Sequence, residues 1–274
     1  MDNPNMNARA EIPDMINERP KIPPIFASDV YPKSIGMLFG MTRLTLKKIL
    51  SFFDLALIRQ NRFARSLIPF HLNVDLMLDV GANTGQYARK LRDSGFSGTI
   101  VSFEPLSTAH SSLLENSKHD PSWIVHERIG LGKQCGFAEI HVSANSVSSS
   151  FMPVGHLHLE AAPESKATAV EFVKMATLDC QAADYISGRR GIGLKIDVQG
   201  LEMDVLKGSH SVLKSVNFIQ LEMSLSELYL GQVLYFEIDE FLRGIGFELW
   251  NVIPGFSDPR DGRLLQIDGV YIRA

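Results

Sequence analysis

The stretch Leu76-Met77-Leu78-Asp79-Val80-Gly81-Ala82-Asn83-Thr84-Gly85 decides the fold. Its apolar start predicts a buried strand, and the glycines after it predict a tight turn into a helix that begins near Thr84. In an open parallel sheet, ligands bind beyond the carboxyl ends of the strands, at turns of this kind. Because Gly81 and Gly85 carry no Cβ atom, we expect the backbone here to approach a bound ligand closely.

The glycine spacing of this loop differs from the GxGxxG pattern of dinucleotide-binding proteins. A pyrophosphate is bound by amide groups and a helix dipole, and has little use for a carboxylate at the end of the strand. Asp79 instead suits a cationic or hydroxyl-bearing ligand, such as the amino-acid part of S-adenosylmethionine. An ordinary glycine-containing turn between a strand and a helix is the alternative.

Short apolar runs alternate with helical stretches from Leu76 onward, which implies an α/β fold with a mostly parallel sheet covered on both faces. A loop rich in Pro, Gly and Asp at 254–262 joins the last two strands without a helix, and this predicts an antiparallel hairpin at the sheet edge. The predicted strands are Leu76–Val80, Thr99–Phe103, Trp123–Glu127, Ala138–Val142, Val170–Met175, Gly193–Val198, Phe218–Glu222, Phe247–Val252 and Val270–Arg273. The predicted helices are Thr84–Ser94, Ser107–Ser117, Leu178–Ile186, Leu201–Leu206 and Tyr235–Ile245.

An acid follows the second predicted strand, in the sequence Glu104-Pro105. A carboxylate at the tip of this strand can accept hydrogen bonds from both hydroxyls of a ribose, as in Rossmann-like folds. A structural salt bridge is the alternative for Glu104, but its spacing from the glycine loop favours ribose binding.

Two more acids follow later strands. In Leu194-Lys195-Ile196-Asp197, strand alternation puts Lys195 and Asp197 on the same side, and Glu222 ends the next strand. Asp197 or Glu222 could act as a general base, or both could bind a divalent ion such as Mg²⁺. The alternative is that one of them only pairs with Lys195. Glu202 lies in a first helical turn, where the helix dipole favours an acid.

A polar segment, Asn145-Ser146-Val147-Ser148-Ser149-Ser150, could bind cofactor or acceptor hydroxyls, or form a solvated serine-rich turn. His156 and His158 follow it with no third metal ligand nearby, and we interpret both as plain loop residues.

These motifs together resemble the FkbM family of methyltransferases over about residues 75–273. The resemblance lies in DVGANTGQY at 79–87, FEP at 103–105, NSVSSS at 145–150, LKIDVQGLEMDVLKG at 194–208, IQLEMS at 219–224 and the closing Asp268-Gly269-Val270-Tyr271. It implies a class I methyltransferase (Rossmann-like) fold and S-adenosylmethionine-dependent methylation of a hydroxyl oxygen on a sugar, glycolipid or polyketide-type product.

The resemblance also implies roles for individual residues. Asp79, Gly81, Asn83 and Gly85 would meet the amino-acid end of the cofactor, and Glu104 its ribose. The candidate cofactor-binding residues are Asp79, Gly81, Ala82, Asn83, Gly85, Tyr87, Glu104, Pro105, Gly130, Asn145 and Ser149. The candidate catalytic residues are Asp197, Glu222 and Lys195, and Asp197 and Glu222 are the candidate metal ligands.

Composition limits the function classes. The 274 residues, 45% of them hydrophobic, allow one main domain, and the net charge of −4 disfavours a nucleic-acid partner. Cys135 and Cys180 form no CxxC pair, so neither a disulfide framework nor a zinc site is implied, and a cytoplasmic location fits.

Three regions are expected. Residues 1–32 carry recurrent prolines and no apolar core of a signal peptide, so we interpret them as a flexible leader. Residues 33–70 mix basic and apolar side chains and predict helices, which pack on the main domain, cover the active site, or rest on the inner face of a membrane. Residues 71–274 form the methyltransferase domain.

Two other functions share parts of this pattern. An NAD-dependent oxidoreductase has the same kind of sheet and ribose acid, but the loop lacks the close glycine pair that binds pyrophosphate. A non-catalytic, membrane-associated binding module could keep the fold and use 34–70 as its anchor. The identity of the acceptor and the oligomeric state are open from the sequence.

Overall fold

The computed structural model describes residues 72–274. The predicted leader at 1–32 and the predicted helical extension at 33–70, with its lid or membrane role, lie outside the described residues. Within 72–274, no helix is long and apolar enough to cross a membrane.

Two sheets and seven α-helices are present in the described part of the chain. The strands are β1 (Leu76–Val80), β2 (Thr99–Phe103), β3 (Trp123–Val125), β4 (Gly130–Leu131), β5 (Gly136–Ser143), β6 (Ala167–Ala176), β7 (Ile192–Ile196), β8 (Val216–Ser224), β9 (Phe247–Pro254) and β10 (Gln266–Arg273). The helices are α1 (Gln86–Asp93), α2 (Ser107–Ser117), α3 (His156–Ala161), α4 (Leu178–Ile186), α5 (Glu202–Lys207), α6 (His210–Leu213) and α7 (Tyr235–Gly244).

The main sheet has seven strands in the order β3-β2-β1-β7-β8-β10-β9. The first five run parallel, while β10 runs antiparallel to both β8 and β9. The strand order reverses at β1, between β2 and β7. Such a reversal opens a crevice at the carboxyl ends of the strands, and there an open α/β sheet binds its ligand.

The central strands are buried on both faces. Every residue of β1 and of β7 is buried, as expected for parallel strands with helices on either side. On the helices, apolar residues at helical spacing pack against the sheet, for example Ala88 and Leu91 of α1 and Ile238 and Leu242 of α7. The rigid core therefore holds the strand ends in fixed positions.

The structure confirms the predicted α/β class, the mostly parallel sheet and the antiparallel edge hairpin. Thr99–Phe103, Ser107–Ser117 and Leu178–Ile186 have the predicted bounds, and most other elements differ by one to four residues at an end.

A second sheet of three strands, in the order β4-β6-β5, differs from the expected alternation. The segments predicted as strands at 138–142 and 170–175 are longer and pair with each other in an antiparallel ribbon outside the main sheet. This small sheet packs over the crevice side of the domain, because its buried residues Ile140 and Val173 form a cluster with Leu106 and Ala109 beside the end of β2.

Candidate active site

A cavity of about 610 Å³ lies at the carboxyl ends of the parallel strands. Its walls come from the loops after β1, β2 and β7, from the serine-rich segment after β5, and from the ends of β8 and β10. Of the fourteen candidate cofactor-binding and catalytic residues, twelve line it: Asp79, Gly81, Ala82, Asn83, Tyr87, Glu104, Pro105, Asn145, Ser149, Lys195, Asp197 and Glu222.

Two predicted cofactor contacts, Gly85 and Gly130, are not among the lining residues. A Cβ atom on Gly85 would lie 2.5 Å from the ring of Trp123, and one on Gly130 would lie 2.5 Å from the sulfur of Met175. Both glycines therefore make room for packing inside the protein.

Gly81 lines the cavity and also allows a close contact between two loops. It has a φ of 81°, and a Cβ atom on it would lie 1.8 Å from the carbonyl oxygen of Asp197. The missing side chain lets the loop after β1 touch the loop after β7, which brings Asp79 and Asp197 to one cavity.

Asp79 is buried at the end of β1, with 1% of its surface exposed. Ser102 donates a hydrogen bond to its Oδ2 at 3.1 Å. Burial raises the pKa of this carboxyl to about 7, against the lowering effects of Ser102 and Lys195. Near neutral pH, Asp79 therefore gains its negative charge readily when a cationic group binds beside it.

Glu104 is also buried, with 3% exposed. The backbone amides of Asn83 and Leu106 donate to its two oxygens at 2.7 Å and 2.8 Å. Burial raises the pKa of Glu104 to about 7 even though these amides lower it. The two bonds fix the carboxylate at the end of β2, and each oxygen keeps a lone pair that can accept a hydrogen bond from a hydroxyl.

The serine-rich segment closes over the first loop. The side chain of Asn83 donates to Oγ of Ser146 at 3.3 Å, and Asn145 caps the 3₁₀ turn Ser146–Ser148 by accepting from the amide of Ser148. Ser149 accepts from the amide of Ser143 through its Oγ. These polar groups line the cavity and also hold the segment in place.

An apolar part of the wall lies near Glu104 and comes from Phe103, Leu106, Ile129, Leu131 and Ile140. All five side chains are buried. A wall of this kind beside Glu104, the acid predicted to bind a ribose, suits a flat heteroaromatic ring. Together with Asp79 and the volume of the cavity, it fits S-adenosylmethionine.

Lys195 lies on β7, beside Asp79 of β1 in the sheet register, and is only 4% exposed. Its Nζ atom is 3.5 Å from Oδ2 of Asp197 and 3.3 Å from Oδ1 of Asp268. Burial lowers the pKa of Lys195, but Asp197, Asp268 and Glu222 outweigh that effect and raise it above its ordinary value. Lys195 is therefore a fixed cation at neutral pH.

Asp197 and Glu222 lie beside each other at the ends of β7 and β8. Nε2 of Gln199 donates to Oδ1 of Asp197 at 2.7 Å and to Oε2 of Glu222 at 2.8 Å. Burial and the charge of Asp197 raise the pKa of Glu222 well above its ordinary value. The sequence prediction that these two carboxylates meet at one sheet edge agrees with this geometry.

A chain of hydrogen-bonded side chains next to these acids was not predicted from the sequence. Tyr87 donates to Oε1 of Gln220 at 3.1 Å, and Nε2 of Gln220 donates to Oδ2 of Asp268 at 2.6 Å. Asp268 in turn pairs with Lys195. The register of β10 against β8 could have revealed this chain of side chains, since it sets Asp268 opposite Glu222.

The loop that carries Gln199 is held by Glu202, the first residue of α5. Its carboxylate accepts from the amides of Val198 and Gly200 at 3.2 Å and 3.1 Å. Burial raises the pKa of Glu202 to about 7. The interpretation of Glu202 as an acid at a helix start agrees with this position.

The predicted metal site at Asp197 and Glu222 does not fit a divalent cation. The space between the two carboxylates faces the amide nitrogen of Gln199, and the ammonium of Lys195 lies against Asp197. A divalent ion needs oxygen ligands where these donors stand. Within residues 72–274, no group of three His, Cys, Asp or Glu side chains is placed to hold a metal.

The sequence interpretation of His158 as a plain loop residue was wrong. His158 lies in α3, lines the cavity and is 4% exposed, with its ring against those of Tyr229 and Phe256. Burial lowers its pKa, and its Nδ1 atom is buried without a hydrogen-bond partner. His156, by contrast, is exposed.

The family model described as "Methyltransferase FkbM domain" matches residues 79–249, which is more than half of the chain. A curated relative, the hexuronic acid methyltransferase AglP of Haloferax volcanii, is 28% identical over 158 residues. That match covers 54% of this chain and 56% of the relative, so it spans about half of that protein.

Solved structures of similar fold include methyltransferase FkbM from Methylobacillus flagellatus, with a TM-score of 0.45 and 15% identity over 76% of this chain and 46% of that one. Another is Sp1610 of Streptococcus pneumoniae, a putative tRNA (m1A22) methyltransferase in complex with S-adenosyl-L-methionine. It has a TM-score of 0.43 and 13% identity over 75% of this chain and 69% of that one.

Proposed function

The chain belongs to the FkbM family of S-adenosylmethionine-dependent methyltransferases, and on this premise we propose that it methylates a hydroxyl oxygen of a sugar. The domain has the class I methyltransferase fold. The observation that carries the proposal is the pair of carboxylates, Asp197 and Glu222, which line the same cavity as the loop after β1. The name of the relative from Haloferax volcanii also supports a sugar acceptor.

In this proposal, the loop after β1 and the end of β2 hold the cofactor. Asp79 faces its ammonium group and Glu104 accepts from its ribose hydroxyls, while the apolar wall around Ile129 and Leu131 covers its adenine. Bound S-adenosylmethionine supplies a methyl group activated by a sulfonium charge, so the protein only has to orient the acceptor and take up its proton.

We assign the proton-accepting role to Asp197. Its side chain is 35% exposed in the cavity, and Nζ of Lys195 lies 3.5 Å from its Oδ2 atom. The proton that the acceptor hydroxyl loses goes to Oδ2 or Oδ1 of Asp197, and the oxygen is then free to bond to carbon. Gln199 orients the carboxylate through its hydrogen bond to Oδ1.

Glu222 is the weaker candidate for the base. Its Oε2 atom accepts from both Gln199 and Gln266 at 2.8 Å, and its raised pKa favours the protonated form. A protonated Glu222 beside Asp197 removes one of two adjacent negative charges. We propose that Glu222 binds an acceptor hydroxyl and that Lys195 acts as a fixed positive charge.

An NAD-dependent oxidoreductase, the competing enzyme class, does not agree with the family match. The proposal of a lipid-linked sugar remains, since residues 34–70 combine basic and apolar side chains. Flotation of the full chain on vesicles with anionic lipid, compared with a chain from which 34–70 is deleted, tests that narrower proposal.

The main test is incubation of the protein with methyl-labelled S-adenosylmethionine and a panel of sugars, glycosides and glycolipids, followed by mass spectrometry of the products. We expect a methyl ether on a sugar hydroxyl. Transfer to nitrogen or carbon, or no transfer to any acceptor by a protein that binds the cofactor in calorimetry, would contradict the proposed function.

A further inference from the structure

One end of the cavity, here called the acceptor end, is formed by Asp197, Gln199, Glu222, Asp268 and His158. These residues are in contact with one another or linked by a single side chain. Tyr229 makes the link to His158, since its ring packs on the imidazole with centroids 5.1 Å apart and its hydroxyl lies 2.7 Å from Oε1 of Gln199. The acceptor end is thus one continuous surface.

Acidic side chains outnumber basic ones around the cavity. The acids among the described lining residues are Asp79, Glu104, Glu164, Asp197, Glu222 and Asp268, and the Lys and Arg residues are Lys90 and Lys195. Lys90 is exposed on α1, the helix that follows the loop after β1. Lys195 is therefore the one described lysine or arginine side chain at the acceptor end.

The positive charge of Lys195 already has carboxylate partners. Its charge is shared by Asp197 and Asp268 within 3.5 Å, and Glu222 also acts on it. The side-chain amides nearby also bind these carboxylates, because Gln199 donates to two of them and Gln220 and Gln266 donate to one each. An anionic group at the acceptor end would therefore lie among carboxylates, beside donors that already bind carboxylates.

His158 offers the opposite kind of partner. Its Nδ1 atom is buried and has no hydrogen-bond partner, which is costly unless a ligand provides one. The lowered pKa makes the ring neutral, so it adds no positive charge. A hydroxyl group both donates and accepts, and it therefore satisfies Nδ1 in either tautomer.

We propose that the acceptor end selects a neutral, polyhydroxylated sugar unit and excludes one that carries a carboxylate, with Asp268 as the residue that sets this choice by cancelling the charge of Lys195. The inference rests on the proposed function. Sugar hydroxyls donate to the free lone pairs of the carboxylates and bind His158, while a carboxylate placed beside Asp197 and Asp268 suffers like-charge repulsion.

The experiment compares matched acceptor pairs that differ only in a CH₂OH or a carboxylate at C6: methyl glucoside and methyl glucuronide, and the corresponding galactose and mannose pairs. Transfer from labelled S-adenosylmethionine to each is measured with the full chain. We expect kcat/KM for the neutral member of an accepted pair to exceed that of the acid by about tenfold or more, because like charges repel.

The variant Asp268→Asn leaves Lys195 with fewer counter-charges, and it should reduce this preference about threefold or more through better use of the acid. Asp204→Asn is the matched control, because Asp204 pairs with Lys133 and is not among the cavity-lining residues. It should leave the preference unchanged. Thermal unfolding and cofactor binding of both variants show whether each is folded.

The outcomes separate the two claims. Equal or better use of the acids by the unmodified protein would overturn the inference and leave the proposed function intact. If a folded Asp268→Asn variant kept the same preference for the neutral sugar, the proposed role of Asp268 would be overturned. Absence of transfer to all six sugars and to the wider panel would overturn the proposed function, and the inference with it.

Discussion

Asp197 and Glu222, at the ends of two neighbouring parallel strands, share a single hydrogen-bond donor. Nε2 of Gln199 lies 2.7 Å from one carboxylate and 2.8 Å from the other. Gln199 holds this position in a left-handed backbone conformation, with a φ of 57°, in a loop fixed by Glu202. One amide therefore helps to hold both proposed functional acids in place.

Shortening this amide should separate the carboxylates. In Gln199→Asn the side chain tolerates the left-handed backbone but is too short to reach both acids, so we expect kcat to fall about 10- to 100-fold through misalignment. Steady-state kinetics with the best acceptor, together with calorimetry of cofactor binding, measures this. The exposed Gln134→Asn serves as control, and a kcat equal to that of the unmodified protein would refute the role of Gln199.

Cofactor binding should depend on pH because Glu104 and Asp79 have pKa values of about 7. Both carboxyls lose their proton as pH rises through 7, and the ionised forms bind hydroxyl and ammonium groups more strongly. We expect the affinity for S-adenosylmethionine to increase between pH 6 and pH 8.

Glu104→Gln should weaken that affinity about 10- to 100-fold at pH 8 and reduce its pH dependence, since hydrogen bonds to a charged group contribute more. Calorimetry across the pH range measures both effects. Glu139→Gln, an exposed change on β5 outside the cavity, is the matched control. A variant at Glu104 with unchanged affinity and slope would show that this acid does not contact the cofactor.

Gly81 should tolerate no side chain. A Cβ atom in Gly81→Ala would overlap the carbonyl oxygen of Asp197, so we expect a loss of about 3 kcal/mol or more in the free energy of unfolding. Gly95→Ala isolates the effect of the backbone, because Gly95 also has a positive φ but no atom within 4 Å of the added Cβ. That control should lose only about 1 kcal/mol. Equal losses in urea denaturation would mean that the contact between the two loops is unimportant.

The parallel core could be predicted from the sequence because each of its strands is a short apolar run that ends in a polar residue. Asp79, Glu104, Asp197 and Glu222 could be grouped on the same grounds, since the carboxyl ends of parallel strands meet at one edge. The resemblance to the FkbM family rested on the same segments, and the family match confirms it.

Pairing between distant strands was less predictable. The alternation in β5 and β6 shows that each has one buried face, but it does not say which strand is the partner, and these two form their own sheet. The contact of Gly81 with Asp197 was not foreseen for a similar reason, because the two residues are more than a hundred positions apart in the sequence.

The roles of several other side chains in the cavity could not be predicted from the sequence. Gln199, Gln220 and Asp268 lie in segments that resemble the FkbM family, but the sequence does not show their contacts, and the pairing of Gln220 with Asp268 depends on the register of β8 and β10. His158 lies in a helix of six residues, too short for a periodic pattern.

Stability should decrease as pH rises toward neutrality. Glu202 has a pKa of about 7 in the folded protein, above its ordinary value, so the folded state binds more protons than the unfolded state between about pH 4.5 and pH 7. Its contribution to the free energy of unfolding is therefore lost as pH rises through that window, by up to about 3 kcal/mol.

Glu202→Gln removes the titrating group and keeps an oxygen acceptor for the loop amides. We expect the difference in unfolding free energy between pH 5 and pH 8, measured with urea, to become smaller in this variant. The exposed Glu240→Gln on α7 should keep the slope of the unmodified protein. An unchanged slope in Glu202→Gln would show that Glu202 titrates as it does in the unfolded chain.

The central claim is that Asp197 accepts the proton of the acceptor hydroxyl, and Asp197→Asn tests it most directly. The substitution keeps the size of the side chain and removes the basic oxygen. Methyl transfer is measured alongside calorimetry of cofactor binding, with the exposed Asp93→Asn as control. The account predicts a fall in kcat of about 10²- to 10⁴-fold with cofactor affinity nearly unchanged. Full turnover by Asp197→Asn would contradict it.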